Sequence, residues 1–324
     1  MKILFCDYPQ EMEQDFSWQQ QRLQEQVPGA QIRLAAYRSQ EQLLQELQHI
    51  KILQTAFIPM TREVFAGAPE LQMISVNAAG YGNIDLQAAR DFGVTVTNVS
   101  DYCSEEVAEH TMALLLALAR HLKAYDMQVV RQHSWKFQAE NNLHRLSGRC
   151  LALFGWGHIS RRVAALARAF GLKVAVVSRH LTAEEAAVHH VVRMRGWEAL
   201  ECADILVNHM QEAPSNYHYF NRELFCRMKR APIFINMGRG SAVAEADLAE
   251  ALDRHWLSAA GLDVLAAEEP DLTCCPLLGR DNVILTPHAA FFSEESVQEL
   301  AARSVQHMVD FVHGHRDRLH DLAG

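Results

Sequence analysis

The sequence predicts two α/β domains, the larger a doubly wound parallel sheet set into a smaller one. Three observations carry this. From Cys150 onward, short continuous apolar runs alternate with helical segments, the pattern of strands covered on both faces. Before that point the chain shows the same alternation with more polar helices. Its 324 residues also exceed one domain of about 150. The smaller domain is expected over 1–99 plus 289–324, and the larger, dinucleotide-binding one over 100–288.

In chain order, 2–6, 52–58, 72–76 and 94–99 read as strands of the first domain. The Gln/Glu-rich stretches 18–26 and 40–49 read as solvent-facing helices, the second with Leu43, Leu44 and Leu47 at helical spacing. Ser104 is placed as the cap of a helix whose first turn carries Glu105 and Glu106, matching the positive end of the helix dipole. From 107 to 119 that helix is apolar on nearly every face, so it is expected to be buried, between the domains. The strands 150–154, 173–177, 190–193, 203–208, 232–237, 258–264 and 282–286 follow, with helices such as 160–170 and 245–254 among them. A last helix over 294–313 precedes a charged, His-rich tail.

Composition excludes several functions. Hydrophobic residues make up 49% and charged residues 21%, which suits a folded enzyme and not a disordered chain. With 30 basic against 39 acidic residues, the net charge of −9 gives no global field for nucleic acid or an anionic membrane. The longest apolar run, 113–119, is far below a membrane span, and the first residues lack the pattern of a signal peptide. Seven cysteines show no zinc spacing, so no metal is expected, and the adjacent Cys274 and Cys275 read as plain thiols of a reducing, cytoplasmic compartment.

The strand 150–154 runs directly into Gly155-Trp156-Gly157-His158-Ile159-Ser160 and a helix. In that context a Gly-x-Gly turn is a dinucleotide fingerprint: Gly155 permits the tight turn, and Gly157 lets the backbone approach a pyrophosphate at the helix N-terminus. His158 would approach the cofactor through its backbone. The third small position is Ser160 instead of glycine. About 20 residues further on, where an NAD enzyme carries a carboxylate for the ribose hydroxyls, stand Ser178-Arg179-His180. An arginine without that acid suits a 2′-phosphate, so NADP(H) is expected to be preferred over NAD(H). The competing readings are a tight turn without ligand and a solvated strand-end arginine.

Three further segments fall at strand ends: Ile235-Asn236-Met237-Gly238-Arg239-Gly240, Gly261-Leu262-Asp263-Val264 through Glu268-Glu269-Pro270, and Leu285-Thr286-Pro287-His288. They offer a guanidinium, carboxylates and an imidazole, the groups needed for hydride transfer at a 2-oxo or 2-hydroxy acid.

With these motifs the chain resembles the D-isomer-specific 2-hydroxyacid dehydrogenase family over nearly its whole length, and is most similar to its glyoxylate and hydroxypyruvate reductases. Asn98-Val99 through Val107-Ala108-Glu109-His110-Thr111 looks like the family's interdomain helix, and Arg131, Trp135 and Leu146-Ser147-Gly148-Arg149 resemble the lead into its nucleotide fold. The resemblance implies a Rossmann-type sheet inserted into a flavodoxin-like substrate domain, with a cleft between them. It implies that Arg239 binds the substrate carboxylate and polarises the C2 oxygen. His288 would exchange the proton, with a glutamate orienting its imidazole and favouring the charged form. Spacing from Asp263 favours Glu268 for that glutamate, while the proline after Glu269 keeps Glu269 as the alternative. Asp263 would hold the nicotinamide carboxamide, and Met237, Gly238 and the segment from His209 would line the cofactor. The amides of Asn77-Ala78-Ala79-Gly80-Tyr81-Gly82, at Ala79 and Gly80, would receive the carboxylate. A small 2-oxo acid such as glyoxylate or hydroxypyruvate, and a homodimer, are implied as partners. The alternatives are a cofactor-sensing, corepressor-like scaffold and a dehydrogenase of another small oxyanion, such as formate or phosphite.

Overall fold

The computed structural model describes residues 1–137, 143–268 and 270–323. It divides into two compact units, Met1–Tyr102 with Ser293–Gly324, and Cys103–Phe292.

The first unit opens with β1 (Lys2–Asp7), α1 (Ser17–Gln26), β2 (Gln31–Ala36), α2 (Gln40–Glu46), β3 (Ile52–Thr55), α3 (Arg62–Gly67), β4 (Met73–Val76), α4 (Leu86–Asp91) and β5 (Thr95–Asn98). The strands form one parallel sheet in the order β2-β1-β3-β4-β5, the flavodoxin-like order. Strand β2 is absent from the sequence reading, and its composition explains why. It is an edge strand with Gln31 and Leu34 exposed, so it has no apolar run to betray it.

The second unit begins with α5 (Ser104–Ala119) and α6 (Leu122–Gln132). There follow β6 (Cys150–Phe154), α7 (His158–Ala169), β7 (Lys173–Val177), α8 (Ala183–Val188), β8 (Val192–Arg193), α9 (Gly196–Cys202) and β9 (Ile205–Asn208). The unit closes with α10 (Arg222–Phe225), β10 (Ile233–Asn236), α11 (Glu245–Asp253), β11 (Ala259–Leu262) and β12 (Val283–Leu285). All seven strands run parallel in the order β12-β11-β10-β9-β6-β7-β8, so the chain winds outward in both directions from β6. That is a doubly wound, Rossmann-type sheet, whose ligand sites lie beyond the carboxyl ends of the strands. Ser104 is the first helical residue of α5 and not its cap, which falls on Cys103. The apolar helix α5 packs on the sheet of this unit, where a Cβ on Gly261 would lie 3.1 Å from Leu118.

The chain then returns to the first unit as α12 (Glu294–Val312), capped by Ser293. Its Val305, Met308, Val309 and Phe311 join Ile3, Phe5, Ile52 and Met73 in one buried cluster, while Leu43, Phe65, Ile74 and Val96 belong to another cluster of the same unit. Among the described residues no helix is long and apolar enough to cross a membrane. Among the described residues no group of three His, Cys, Asp or Glu side chains is placed to hold a metal.

Candidate active site

The glycine turn is built by a conflict only glycine resolves. Gly155 follows β6 at φ +100°, and a Cβ there would stand 2.9 Å from the His209 carbonyl oxygen. Two residues on, nothing lies within 4 Å of where a Cβ on Gly157 would point. No side-chain hydrogen bond caps the N-terminus of α7, which begins with His158 and Ile159, and a helix end of this kind suits an anionic group. Ser160, on the inner face of α7, is 1% exposed, and its hydroxyl meets no partner among the described residues. A small residue is what the helix–strand contact requires; the hydroxyl is not.

Strand β7 ends at Val177 and leads into Ser178, whose Oγ accepts the His180 N–H at 3.2 Å. Arg179 is exposed there and pairs with no carboxylate among the described residues. On the other side of β6, β9 and β10 both end in a buried asparagine. Asn208 Nδ2 donates to Asn236 Oδ1 at 2.9 Å, and that oxygen also accepts the Gly238 N–H at 3.2 Å. Asn208 Oδ1 accepts from the Met210 N–H, and Asn236 Nδ2 donates to the Arg239 carbonyl. This pair fixes the loops carrying His209, Met237, Gly238 and Arg239 to each other. It is missing from the sequence reading, although a polar residue closing two otherwise apolar strands, Ile-Leu-Val-Asn and Ile-Phe-Ile-Asn, is its signal. A Cβ on Gly238 would stand 2.7 Å from the Met210 carbonyl, and one on Gly240 would run into the Leu265 carbonyl, so both positions exclude a side chain.

His209 presents an unusual ring. Neither imidazole nitrogen finds a hydrogen-bond partner, and burial holds its pKa down at about 3, so it is neutral.

The imidazole of His288 is met by Glu268: Nδ1 lies 2.7 Å from Oε2. The bond to His288 is the main cause that keeps the Glu268 carboxyl below the ordinary carboxylate range, with burial opposing it and the charges of His288 and Arg239 assisting. Glu269 lies outside the described residues. Arg239 is half-buried, extended in backbone, and donates from Nη1 to the Gly238 carbonyl at 2.8 Å. It forms no ion pair among the described residues, and its charge acts on Glu268.

Asp263 is 3% exposed and holds the loop under His288. Its carboxylate accepts the Thr286 hydroxyl at 2.6 Å, the Ala289 N–H at 2.9 Å and the Ala290 N–H at 3.1 Å. Its carbonyl accepts the His288 N–H at 2.7 Å. His288 itself sits at φ +51°, a strained conformation for a residue with a Cβ, and these four bonds keep it there. His110 of α5 completes the set, its Nε2 lying 3.0 Å from the Thr286 hydroxyl.

In the first unit, the loop after β4 is pinned by Asn98, which donates to the Ala79 carbonyl at 2.7 Å, and by Val99, which donates to the Ala78 carbonyl at 3.1 Å. Ala79 is exposed and Gly80 half-buried. The preceding loop hangs on Asp7, whose buried carboxylate accepts the Thr55 hydroxyl and the Ala56 and Phe57 N–H groups. Burial raises the Asp7 pKa, against the pull of those bonds.

Residues 112–290 match the model of a family described as D-isomer specific 2-hydroxyacid dehydrogenase, NAD binding domain. A glyoxylate reductase of Korarchaeum cryptofilum is 34% identical over 262 residues, 79% of this chain and 77% of that protein. A hydroxypyruvate reductase of Blautia hydrogenotrophica is 30% identical over 280 residues, 85% and 86% of the two chains. Among solved structures, the D-lactate dehydrogenase of Aquifex aeolicus complexed with NAD and lactic acid superposes with a TM-score of 0.88. It is 26% identical, with 99% of each chain covered.

Proposed function

The chain belongs to the D-isomer-specific 2-hydroxyacid dehydrogenase family, nicotinamide-dependent oxidoreductases, and from that premise we propose that it reduces a small 2-oxo acid with NADPH. The observation that carries this reading is the His288–Glu268 pair acting under the charge of Arg239 at the strand ends of a dinucleotide-binding sheet. Glyoxylate and hydroxypyruvate are the candidate substrates, in line with the names of the relatives.

The residues divide the work as follows. The glycine turn suits a pyrophosphate, because Gly155 makes the tight turn, a Cβ at Gly157 would meet only open space, and the first-turn amides of His158 and Ile159 would add donors. Met237, Gly238 and His209 line the same strand ends, and Asp263, besides holding the His288 loop, takes the carboxamide side. Ser178 and Arg179 take the adenosine ribose and its 2′-phosphate. When bound, the nicotinamide supplies the hydride. Arg239 grips the substrate carboxylate and draws charge from the C2 oxygen. His288 delivers its proton from Nε2 to the oxygen that gains charge as C2 is reduced. Glu268, on Nδ1, fixes the ring and balances the imidazolium before transfer. Reduction is the working direction, since cells keep the NADP pool reduced. Trp135 and Phe137, 89% and 78% exposed, supply apolar surface for a homodimer, and we place the enzyme in the cytoplasm.

The test is a steady-state panel of 2-oxo acids with NADPH and NADH. We expect turnover on glyoxylate or hydroxypyruvate with kcat/KM about tenfold or more in favour of NADPH, the size of one charge-assisted contact. A clear NADH preference would overturn the cofactor assignment, and silence across the panel would overturn the substrate class.

A further inference from the structure

The signal lies in the register between β7 and β8. The pairs Ala175↔Val192 and Val176↔Arg193 are parallel, and Met194 continues the ladder by donating to the Val176 carbonyl at 2.9 Å. Extended by two residues, the register sets Arg195 beside Ser178, the residue that begins the Ser178-Arg179-His180 turn. The backbone of Arg195 remains extended, at φ −78° and ψ 154°, so strand alternation persists through it. Met194 packs into the core with Cys202, its Sδ 3.7 Å from the thiol, which leaves Arg195 on the opposite face. The following residue confirms the closeness of the two strand ends: a Cβ on Gly196 would stand 3.9 Å from Val177 Cγ1.

Local stability does not explain this arginine. Arg195 occupies the cap position of α9, where an oxygen-bearing side chain would accept the exposed N–H groups. A guanidinium has no acceptor, and it adds positive charge at the positive end of a helix. Its neighbours are treated differently. Arg161 is held by Glu185 at 2.7 Å and Arg162 by Glu105 at 2.5 Å, whereas Arg179 and Arg195 have no ion-pair partner among the described residues. Glu198, the acid closest in sequence to Arg195, is turned onto the Arg195 backbone N–H, its Oε2 accepting at 2.9 Å.

We propose that Arg195 is a specificity-determining residue that holds the 2′-phosphate of NADPH together with Arg179. The inference rests on the NADPH reading above and adds a second cation from the neighbouring strand. A phosphate dianion at the carboxyl end of β7 then meets guanidinium groups from two strand ends, with the Ser178 hydroxyl beside them. Two planar forks suit its several oxygens better than one.

The experiment measures KM and kcat with NADPH and NADH in the wild type, Arg195→Gln, Arg195→Asn and Arg179→Gln. Calorimetric binding of 2′,5′-ADP and 5′-AMP is measured alongside. Arg195→Gln should raise the NADPH KM about tenfold, leave the NADH KM within about twofold and leave kcat unchanged. Arg195→Asn should lose NADPH affinity equally while melting no lower than the wild type, because asparagine is a good cap. In both, tighter binding of 2′,5′-ADP over 5′-AMP should shrink in step. If Arg179→Gln loses the preference and the Arg195 variants keep it, the assignment of Arg195 falls and the NADPH reading stands. Equal loss with both cofactors would also overturn the assignment, since the contact would then be to adenosine. A wild type that favours neither NADPH nor 2′,5′-ADP overturns the NADPH reading itself.

Discussion

His209 and Glu268 have shifts of the same sign, and both cost stability in acid, over different pH windows. Burial holds His209 near a pKa of about 3, whereas an unfolded chain binds that proton near about 6.5. From about pH 6.5 down to about 3 the unfolded state gains a proton that the folded state refuses, so stability falls across that window. Replacing His209 by leucine removes the loss. The apoprotein melting temperature should decline less steeply between pH 7 and pH 4 in His209→Leu than in the wild type, and parallel slopes would refute the assignment. Glu268, held low by its bond to His288, contributes stability that is present above the usual carboxylate range and is lost only as pH falls through its lowered value. At this scale, the sequence made Arg239, Glu268 and His288 visible because each follows an apolar strand in a recognisable motif. The Asn208–Asn236 pair was not legible because its partners are 28 residues apart and only the fold brings them together.

The turn from β6 into α7 shows how an element can be legible and still contain a flaw. Five residues of continuous apolar strand, two glycines and a helix were readable without coordinates. What could not be read is that the Ser160 hydroxyl is buried with no partner, since satisfaction depends on which groups surround it. Removing an unsatisfied hydroxyl is favourable, and alanine is also the better helix former. Ser160→Ala should stabilise the second unit by about 1 kcal/mol, seen as a melting temperature about 2 °C higher with KM for cofactor unchanged. A lower melting temperature would mean that the hydroxyl has a partner. The sheet margins were uneven. β2 carries polar residues and was missed, since an edge strand lacks the two-sided burial that makes central strands stand out, whereas the two-residue β8 lies within the 190–193 read as a strand.

At the scale of the whole molecule, the tail after α12 does more than its charged composition suggests. Arg316 donates to the Thr95 hydroxyl at 3.0 Å, Asp321 accepts the Val96 N–H at 3.1 Å, and Leu322 donates to the Val96 carbonyl at 2.8 Å. Ala323 is buried, its carbonyl bound by Arg90. The tail therefore covers β5, the edge of the five-stranded sheet, and an uncovered edge invites pairing with other chains. Deleting residues 316–324 should lower the melting temperature by several degrees and increase light scattering on heating; unchanged scattering would show that β5 protects itself. The same feature has a meaning during synthesis. Residues 1–102 are made before the second unit, yet α12, which packs with Ile3, Phe5, Ile52 and Met73, follows only after it. At about 5–20 residues per second that interval is roughly 10–40 s, during which that face of the first sheet is covered by α1 but lacks Val305, Met308, Val309 and Phe311. The first unit therefore completes its core only after the second unit has been made.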